Sequence, residues 1–304
     1  MSQPAQAAAA DRSVSPVLVM LIGVLAVSTA SIFIRYAQQS GAGSLAIAAL
    51  RLTFATLVLV PPALLRCREE YRTLSGRDFV AALISGAFLG AHFATWIFSL
   101  EFTTIVSSVV LVTLSPLFVA LGSALFLRER LLPHVLLGMG MAITGGIVIG
   151  LADAGSTDAA PNPLLGNALA LAGAMSIAPY LIIGRALRHK LSLLAYVALV
   201  YGAAAVVLFG ALLVSGGSPL LGSPVAYLWI ALLALVPQLV GHTSFNWSVR
   251  RLPAVYGTVP ILGEPIGSSI LAVLLLGEVI RPPIVLGAAL TLGGIWLMSV
   301  RRDA

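Results

Sequence analysis

The sequence predicts an all-α integral membrane protein with ten transmembrane helices, arranged as two inverted five-helix repeats. Two features predict this fold. Only 9% of the 304 residues are charged, against about 25% in an ordinary soluble domain, and 59% are hydrophobic. The apolar residues also form long runs, and part of this pattern recurs in the second half of the chain. Such a chain lacks the charge to cover a water-facing surface, whereas a lipid-facing surface needs none.

Ten apolar runs have about the 20 residues that a helix needs to cross the hydrocarbon core. Short connectors with Gly, Pro, Ser or Arg separate them and leave no room for a soluble domain. Residues 1–15 are polar and low in complexity, and we expect them to form a disordered cytoplasmic tail before an uncleaved first helix. The predicted helices are 16–37, 44–65, 78–100, 103–127, 133–151, 162–187, 192–215, 224–249, 254–277 and 281–300.

The two halves of the chain share a pattern. At one constant spacing, Pro116 aligns with Pro265, and Glu129 aligns with Glu278. A duplicated apolar unit of this kind is typical of membrane transporters, whose site lies between the two copies.

We place the first repeat at residues 16–151 and the second at 162–300. Each contains five predicted helices, an odd number, so the second repeat enters the membrane from the opposite side and the two are inverted. Most Lys and Arg residues lie in connectors on the side of the N-terminus, and only Arg35 and Arg281 lie on the other side. By the positive-inside rule both termini are cytoplasmic, and we expect the membrane to be the bacterial inner (plasma) membrane.

Several partners and chemistries are not expected. The basic residues are dispersed among connectors, so the net charge of +6 does not indicate nucleic-acid binding. Cys67 is the single cysteine, and the sequence has no Cys/His cluster with metal-ligand spacing. No Walker A loop is present, which argues against direct use of ATP. We therefore expect no metal and no cofactor.

The repeated motifs resemble those of a known family. The first copy has Ser-Pro at 115–116 and LRERL at 127–131, and the second has Glu-Pro at 264–265 and LGE at 276–278. With Arg51 near the start of the second helix, these motifs resemble the EamA-like unit of the drug/metabolite transporter superfamily. In general character the chain is most similar to the YddG-type amino-acid exporters. The resemblance implies ten helices, a central cavity, alternating access and export of small metabolites, often amino acids.

Glu264 is the strongest candidate for a functional residue. It falls near the middle of its predicted helix, and a charge there is costly unless it serves a purpose. Either it pairs with a substrate ammonium group or carries a proton, or it is a structural residue bonded to a neighbouring helix. Pro260 and Pro265 flank it, and Pro116 interrupts the matching helix, so we expect these prolines to act as hinges or gates. Pro237 is expected to act in the same way.

Two helices carry polar residues at a spacing of four, which places them on one face. Gln238, His242 and Asn246 form one such stripe, and His92 and Trp96 form the other. Both stripes are candidates to line a cavity and contact the substrate. The alternatives are hydrogen bonds between helices for the polar residues and a membrane-interface position for Trp96.

Three further residues complete the candidates. Tyr180, beside a proline, is expected to line the cavity or a gate. Arg51 lies within the second predicted helix and Glu101 at the outer end of the third, and we expect them to form a structural ion pair. The alternatives for Arg51 are that its side chain extends outward to the membrane interface or that it contacts the substrate.

These observations favour a secondary transporter that acts as a monomer in the lipid bilayer and exports small molecules, with amino acids or similar zwitterions as the leading substrate class. Protons are a candidate coupling ion. One alternative is an exchanger of sugar phosphates or nucleotide-sugars, which would need several cations in its cavity, whereas only Arg51 lies within a span. A membrane-embedded enzyme and an oligomeric channel fit less well, because paired catalytic groups are not evident and the internal duplication favours a self-contained monomer. We therefore expect no enzymatic activity.

Overall fold

The computed structural model describes residues 15–154, 160–187, 189–249 and 259–300, apart from the side chains of 245–247, 249, 259 and 260. Within these residues every regular element is a helix and there is no strand, which confirms the all-α prediction. The expected cytoplasmic tail lies almost wholly outside the described residues.

The helices are numbered α1 to α10 in chain order. Three of them, α1, α4 and α8, consist of consecutive segments, and a short unnumbered helix follows α2. The bounds are α1, Pro16–Ser28 and Ala30–Gln39; α2, Ser44–Arg66; the short helix, Arg68–Arg72; α3, Gly76–Phe102; α4, Ile105–Val112 and Ser115–Phe126; α5, Pro133–Ala154; α6, Pro163–Leu187; α7, Leu193–Val214; α8, Pro224–Leu233, Ala234–Gly241 and His242–Val249; α9, Val259–Leu276; and α10, Pro282–Ser299.

Nine helices of the described part, all except α9, are long and apolar enough to cross a membrane. The apolar stretch of α9, Ile261–Leu276, is shorter, so the prediction of ten spans stays a prediction. Leu25, Leu125, Leu151 and Leu274 are each 67–73% exposed on the outside of the bundle. A bilayer would cover these side chains, and the chain is an integral membrane protein.

Three helices change geometry part-way along their length. α1 breaks at Thr29, whose hydroxyl donates to the carbonyl oxygen of Ala26. α4 breaks just before Pro116, which falls in the first turn of the second segment, where a missing N–H does no harm. α8 contains a π-helical segment, Ala234–Gly241, around Pro237. Two of the four predicted hinge prolines therefore lie at an irregularity in a helix.

The other two predicted hinge prolines lie in α9. Pro265 is inside the helix, which continues beyond it to its end. Pro260 is near the start of α9, and its side chain lies outside the described residues. A hinge role for any of the four stays a prediction.

Glycines bring α5 and α10 close together. A Cβ atom added at Gly138 would lie 2.6 Å from the carbonyl oxygen of Gly294, and one added at Gly145 would lie 2.5 Å from that of Gly287. Because these neighbours are backbone atoms, no side-chain rotation can make room for a methyl group. The two glycine pairs therefore set the distance between α5 and α10.

We expect Gly145→Ala to lower the free energy of unfolding by about 1–3 kcal/mol, because its methyl group would overlap the backbone of α10. Gly140→Ala, on the same helix, is the matched control, since a Cβ there meets nothing within 4 Å. Unfolding in detergent micelles, followed by circular dichroism, measures both variants. Equal stability of the two would contradict the close contact between α5 and α10.

Candidate functional site

A cavity of about 470 Å³ lies inside the bundle, between α1–α4 on one side and α6–α9 on the other. No described residue of α5 or α10 lines it. Seven residues are predicted to bind the substrate. The side chain of one of them, Asn246, lies outside the described residues. The structure brings the other six together around this cavity, namely His92, Trp96, Tyr180, Gln238, His242 and Glu264.

Arg51, on α2, lies at the wall of the cavity and is 1% exposed. Its Nε and Nη2 donate to Oε1 of Gln238 at 3.0 and 2.6 Å. Its guanidinium carbon also lies 4.2 Å from the centroid of the Phe93 ring, which is a cation–π contact. The cation is thus held between α3 and α8.

The ion pair expected between Arg51 and Glu101 is replaced by other contacts. Glu101 accepts hydrogen bonds from the backbone N–H and the hydroxyl of Ser44, the first residue of α2. A carboxylate is favoured at this end of a helix because it satisfies a free N–H and faces the positive end of the dipole. Arg51 lies two turns further along α2, about 10 Å at 1.5 Å per residue. The predicted ion pair is therefore wrong: Arg51 is bonded to Gln238 and Glu101 to Ser44.

An aromatic wall from α3 borders Arg51. The rings of His92 and Trp96 stack at 6.1 Å between centroids, as their spacing of four residues allows. Nδ1 of His92 is 3.0 Å from the carbonyl oxygen of Gly173 on α6. This hydrogen bond fixes the imidazole between α3 and α6.

A second aromatic pair lies on the side of α6 and α7. Tyr180 and Tyr196 stack at 6.1 Å between centroids. The hydroxyl of Tyr196 is 2.9 Å from that of Ser85. Tyr196 and Tyr201 both line the cavity, although no polar stripe in the sequence marked them. Tyrosines are common on buried helix faces, so composition alone could not have selected these two.

Glu264 provides the carboxylate of the cavity. Its side chain makes no hydrogen bond or ion pair with any described residue, but it is close enough to Arg51 for their charges to interact. Its backbone is held against α1, where the hydroxyl of Ser28 lies 3.5 Å from the Glu264 carbonyl oxygen. Glu264 therefore places a carboxylate in the lining of the cavity.

A polar cluster joins connectors at the end of the bundle opposite the N-terminal side. Glu278 accepts from the backbone N–H of Ile105 at 3.0 and 3.1 Å, and so caps the first segment of α4. Arg35 donates to the carbonyl oxygen of Thr103 at 3.1 Å and lies 3.8 Å from Glu278. Burial raises the pKa of Glu278, against the opposing effects of the Ile105 amide and of Arg35.

The same end contains a second buried carboxylate. Asp153 is 1% exposed and pairs with Arg281 at 3.0 Å. It also accepts from the side-chain amide of Asn167 at 2.8 Å, and Asn167 in turn accepts from the hydroxyl of Thr103. Connectors of both halves of the chain are thereby tied together at this end.

An apolar helical bundle that encloses a polar cavity of this size is typical of a membrane transporter. The model of the EamA-like transporter family matches residues 14–151 and 164–300, most of the chain in two copies. The chain belongs to the EamA-like transporter family and is a membrane transporter of that type. Its substrate is therefore a small molecule and its surroundings are a lipid bilayer.

The chain is also similar to two individual proteins. The chain is 25% identical over 259 residues to "Uncharacterized transporter YetK" of Bacillus subtilis (strain 168), a match that covers 83% of this chain and 77% of that protein. A solved crystal structure superimposes with a TM-score of 0.62, covering 93% of this chain and 96% of its own, at 21% identity. At this identity the second likeness shows the fold alone.

The partly buried position of Glu278 predicts a pH-dependent contribution to stability. Because its pKa is raised in the folded state, this residue contributes most to the free energy of unfolding below the pKa of an unfolded glutamate, about 4.3. This contribution is lost as the pH rises through the higher folded-state pKa. We expect the melting temperature of Glu278→Gln to fall less over this pH range than that of the wild type.

Glu129→Gln is the control for this measurement. Glu129 occupies the matching position of the first repeat but forms an exposed pair with Arg185. Differential scanning fluorimetry of the three proteins in detergent, from pH 4 upwards (about the unfolded glutamate pKa), makes the comparison. A Glu278→Gln profile that follows those of the wild type and of Glu129→Gln would contradict the prediction.

Proposed function

We propose that the protein is a secondary transporter that exports amino acids or similar small zwitterions across the bacterial inner membrane by alternating access. The observation that carries this proposal concerns the described residues that line the cavity: they include the cation of Arg51 and the carboxylate of Glu264, which forms no hydrogen bond with another described residue. A cavity of about 470 Å³ is within the range of small-molecule sites, about 300–1,000 Å³.

The lining of the cavity favours a zwitterion over a polyanion. Arg51 is the single Arg or Lys among the described lining residues, whereas a sugar phosphate or nucleotide-sugar would need several cations. Glu264 provides a partner for an ammonium group. The rings of Phe93, Trp96 and Tyr180 provide apolar surface for a side chain.

The cavity and the polar cluster support alternating access. The cavity extends from the middle of the bundle to Gly184 and Leu193, which border the connector on the N-terminal side. At the opposite end, Glu278 and Asp153 hold the connectors together. This arrangement corresponds to an inward-facing state, and transport requires the polar cluster to open while the other end closes.

Crosswise contacts support the inverted arrangement of two five-helix units, 16–151 and 162–300. In the repeat, Gly138 corresponds to Gly287, yet it contacts Gly294, whose counterpart is Gly145. Gly145 in turn contacts Gly287, the counterpart of Gly138. Two contacts that exchange in this way are characteristic of two-fold symmetry.

The ion pairs support the same arrangement. Arg35 and Arg185 occupy matching positions in the two repeats, as do Glu129 and Glu278. Arg35 pairs across the repeats with Glu278 at 3.8 Å, and Arg185 pairs with Glu129 at 3.0 Å. The first pair is the more buried, which fits an inward-facing state closed on the outer side.

We expect Glu264→Gln to reduce amino-acid export about tenfold or more and to remove its response to a pH gradient, because the amide neither pairs with an ammonium group nor carries a proton. Proteoliposomes loaded with single amino acids, with and without a pH gradient, measure both effects. Glu69→Gln, at an exposed position outside the cavity, is the control. Unchanged export and pH response in Glu264→Gln would reduce Glu264 to a structural residue.

The orientation is tested with single cysteines in a Cys67→Ser background. Ser218→Cys lies in the exposed connector between α7 and α8, and Thr73→Cys lies in the exposed connector before α3. With both termini in the cytoplasm, we expect an impermeant thiol reagent to label only Ser218→Cys in intact cells, and Thr73→Cys only after the cells are opened. The reverse pattern would contradict the proposed orientation.

A further inference from the structure

Three buried hydrogen-bond donors at the cavity wall have no acceptor among the described residues. They are Nη1 of Arg51, Nε1 of Trp96 and Nε2 of Gln238, although the Gln238 side chain also interacts with the nearby Tyr201 hydroxyl. Burial of an unpaired donor is costly, and such groups are retained mainly where they serve a function. The described residues of α2, α3 and α8 therefore contain a set of donors that a ligand can satisfy.

The three donors belong to one cluster. The Arg51 guanidinium is hydrogen-bonded to Gln238, and its central carbon lies 5.9 Å from the centroid of the Trp96 ring. All three residues line the same cavity. The three donors therefore belong to neighbouring side chains in one part of the cavity.

A carboxylate is the ligand group that suits this cluster. Its two oxygens accept several N–H donors, and its single negative charge matches the single guanidinium. Oε1 of Gln238 already accepts from two nitrogens of Arg51, and a carboxylate oxygen is the same kind of acceptor with stronger, charge-assisted bonds. Displacement of this oxygen would leave the Gln238 side chain free to turn its amide N–H to the ligand.

We propose that Arg51, Trp96 and Gln238 form the binding site for the carboxylate of the transported molecule. The inference rests on the proposed function, because it assigns one end of the substrate. The Phe93 ring, in contact with the guanidinium, holds the cation in place. With Glu264, on α9, lining the same cavity, the site fixes the direction in which a zwitterion lies, with its ammonium group toward α9.

The experiment measures binding to the purified full-length protein in nanodiscs, by calorimetry. The probes are the twenty standard amino acids, their carboxamides, which keep the ammonium group but lack the carboxylate, and simple monocarboxylates, which lack the ammonium group. We expect carboxamides to bind about tenfold or more weakly than the matching acids. Trp96→Phe, which removes one N–H and keeps an aromatic ring, should reduce this preference several-fold, and Arg51→Gln should abolish it.

Trp229→Phe is the matched control. Trp229 packs against Phe33 and Tyr36 and does not line the cavity, so its variant should keep the full preference. Carboxamides that bind as well as acids would overturn the proposal, and so would an unchanged preference in Trp96→Phe or the failure of every carboxylate probe to bind. A different result is that monocarboxylates bind, and bind more weakly to Trp96→Phe and Arg51→Gln, while no amino acid is transported in proteoliposomes. That result would uphold the carboxylate site and reject the proposed amino-acid export.

Discussion

A cation enclosed by apolar helices is the constraint around which the centre of this protein is organised. Arg51 is almost fully buried, and a charge at this depth costs about 2.5–3.5 kcal/mol on insertion scales unless protein groups surround it. Gln238 from α8 and Phe93 from α3 supply those groups. Because all three side chains must meet, α2, α3 and α8 converge, and the polar part of the cavity forms where they do.

The rest of the bundle divides into a framework and a lining. α5 and α10 are locked to each other through backbone contacts at Gly138 and Gly145, and neither contributes a described residue to the cavity. The cavity is instead lined by the helices with irregular backbones, α1, α4 and α8, together with α2, α3, α6, α7 and α9. The close packing of α5 against α10 is thus kept apart from the helices that line the cavity.

Helical periodicity made much of this predictable from the sequence. Fold class follows from composition, and residues four apart, such as His92 and Trp96, had to share a face whatever the tertiary structure. The partner of Arg51 could not be predicted in this way, because Gln238 is 187 residues distant and the contact depends on how α2 and α8 pack. Tyr201 was missed for a related reason, since one tyrosine in an apolar helix carries no periodic signal.

The first segment of α4 links the cavity to the end of the bundle opposite the N-terminal side. Its first N–H, at Ile105, is held by Glu278 from the connector between α9 and α10. Its last residue, Val112, lines the cavity, and the helix breaks immediately afterwards. A segment of 8 residues behaves as a rigid rod about 12 Å long. If the protein works by alternating access, as proposed, a shift at Val112 would be transmitted along this segment to the cap at Ile105. The proposed mechanism would then couple occupancy of the cavity to the contact between the repeats through one rigid segment.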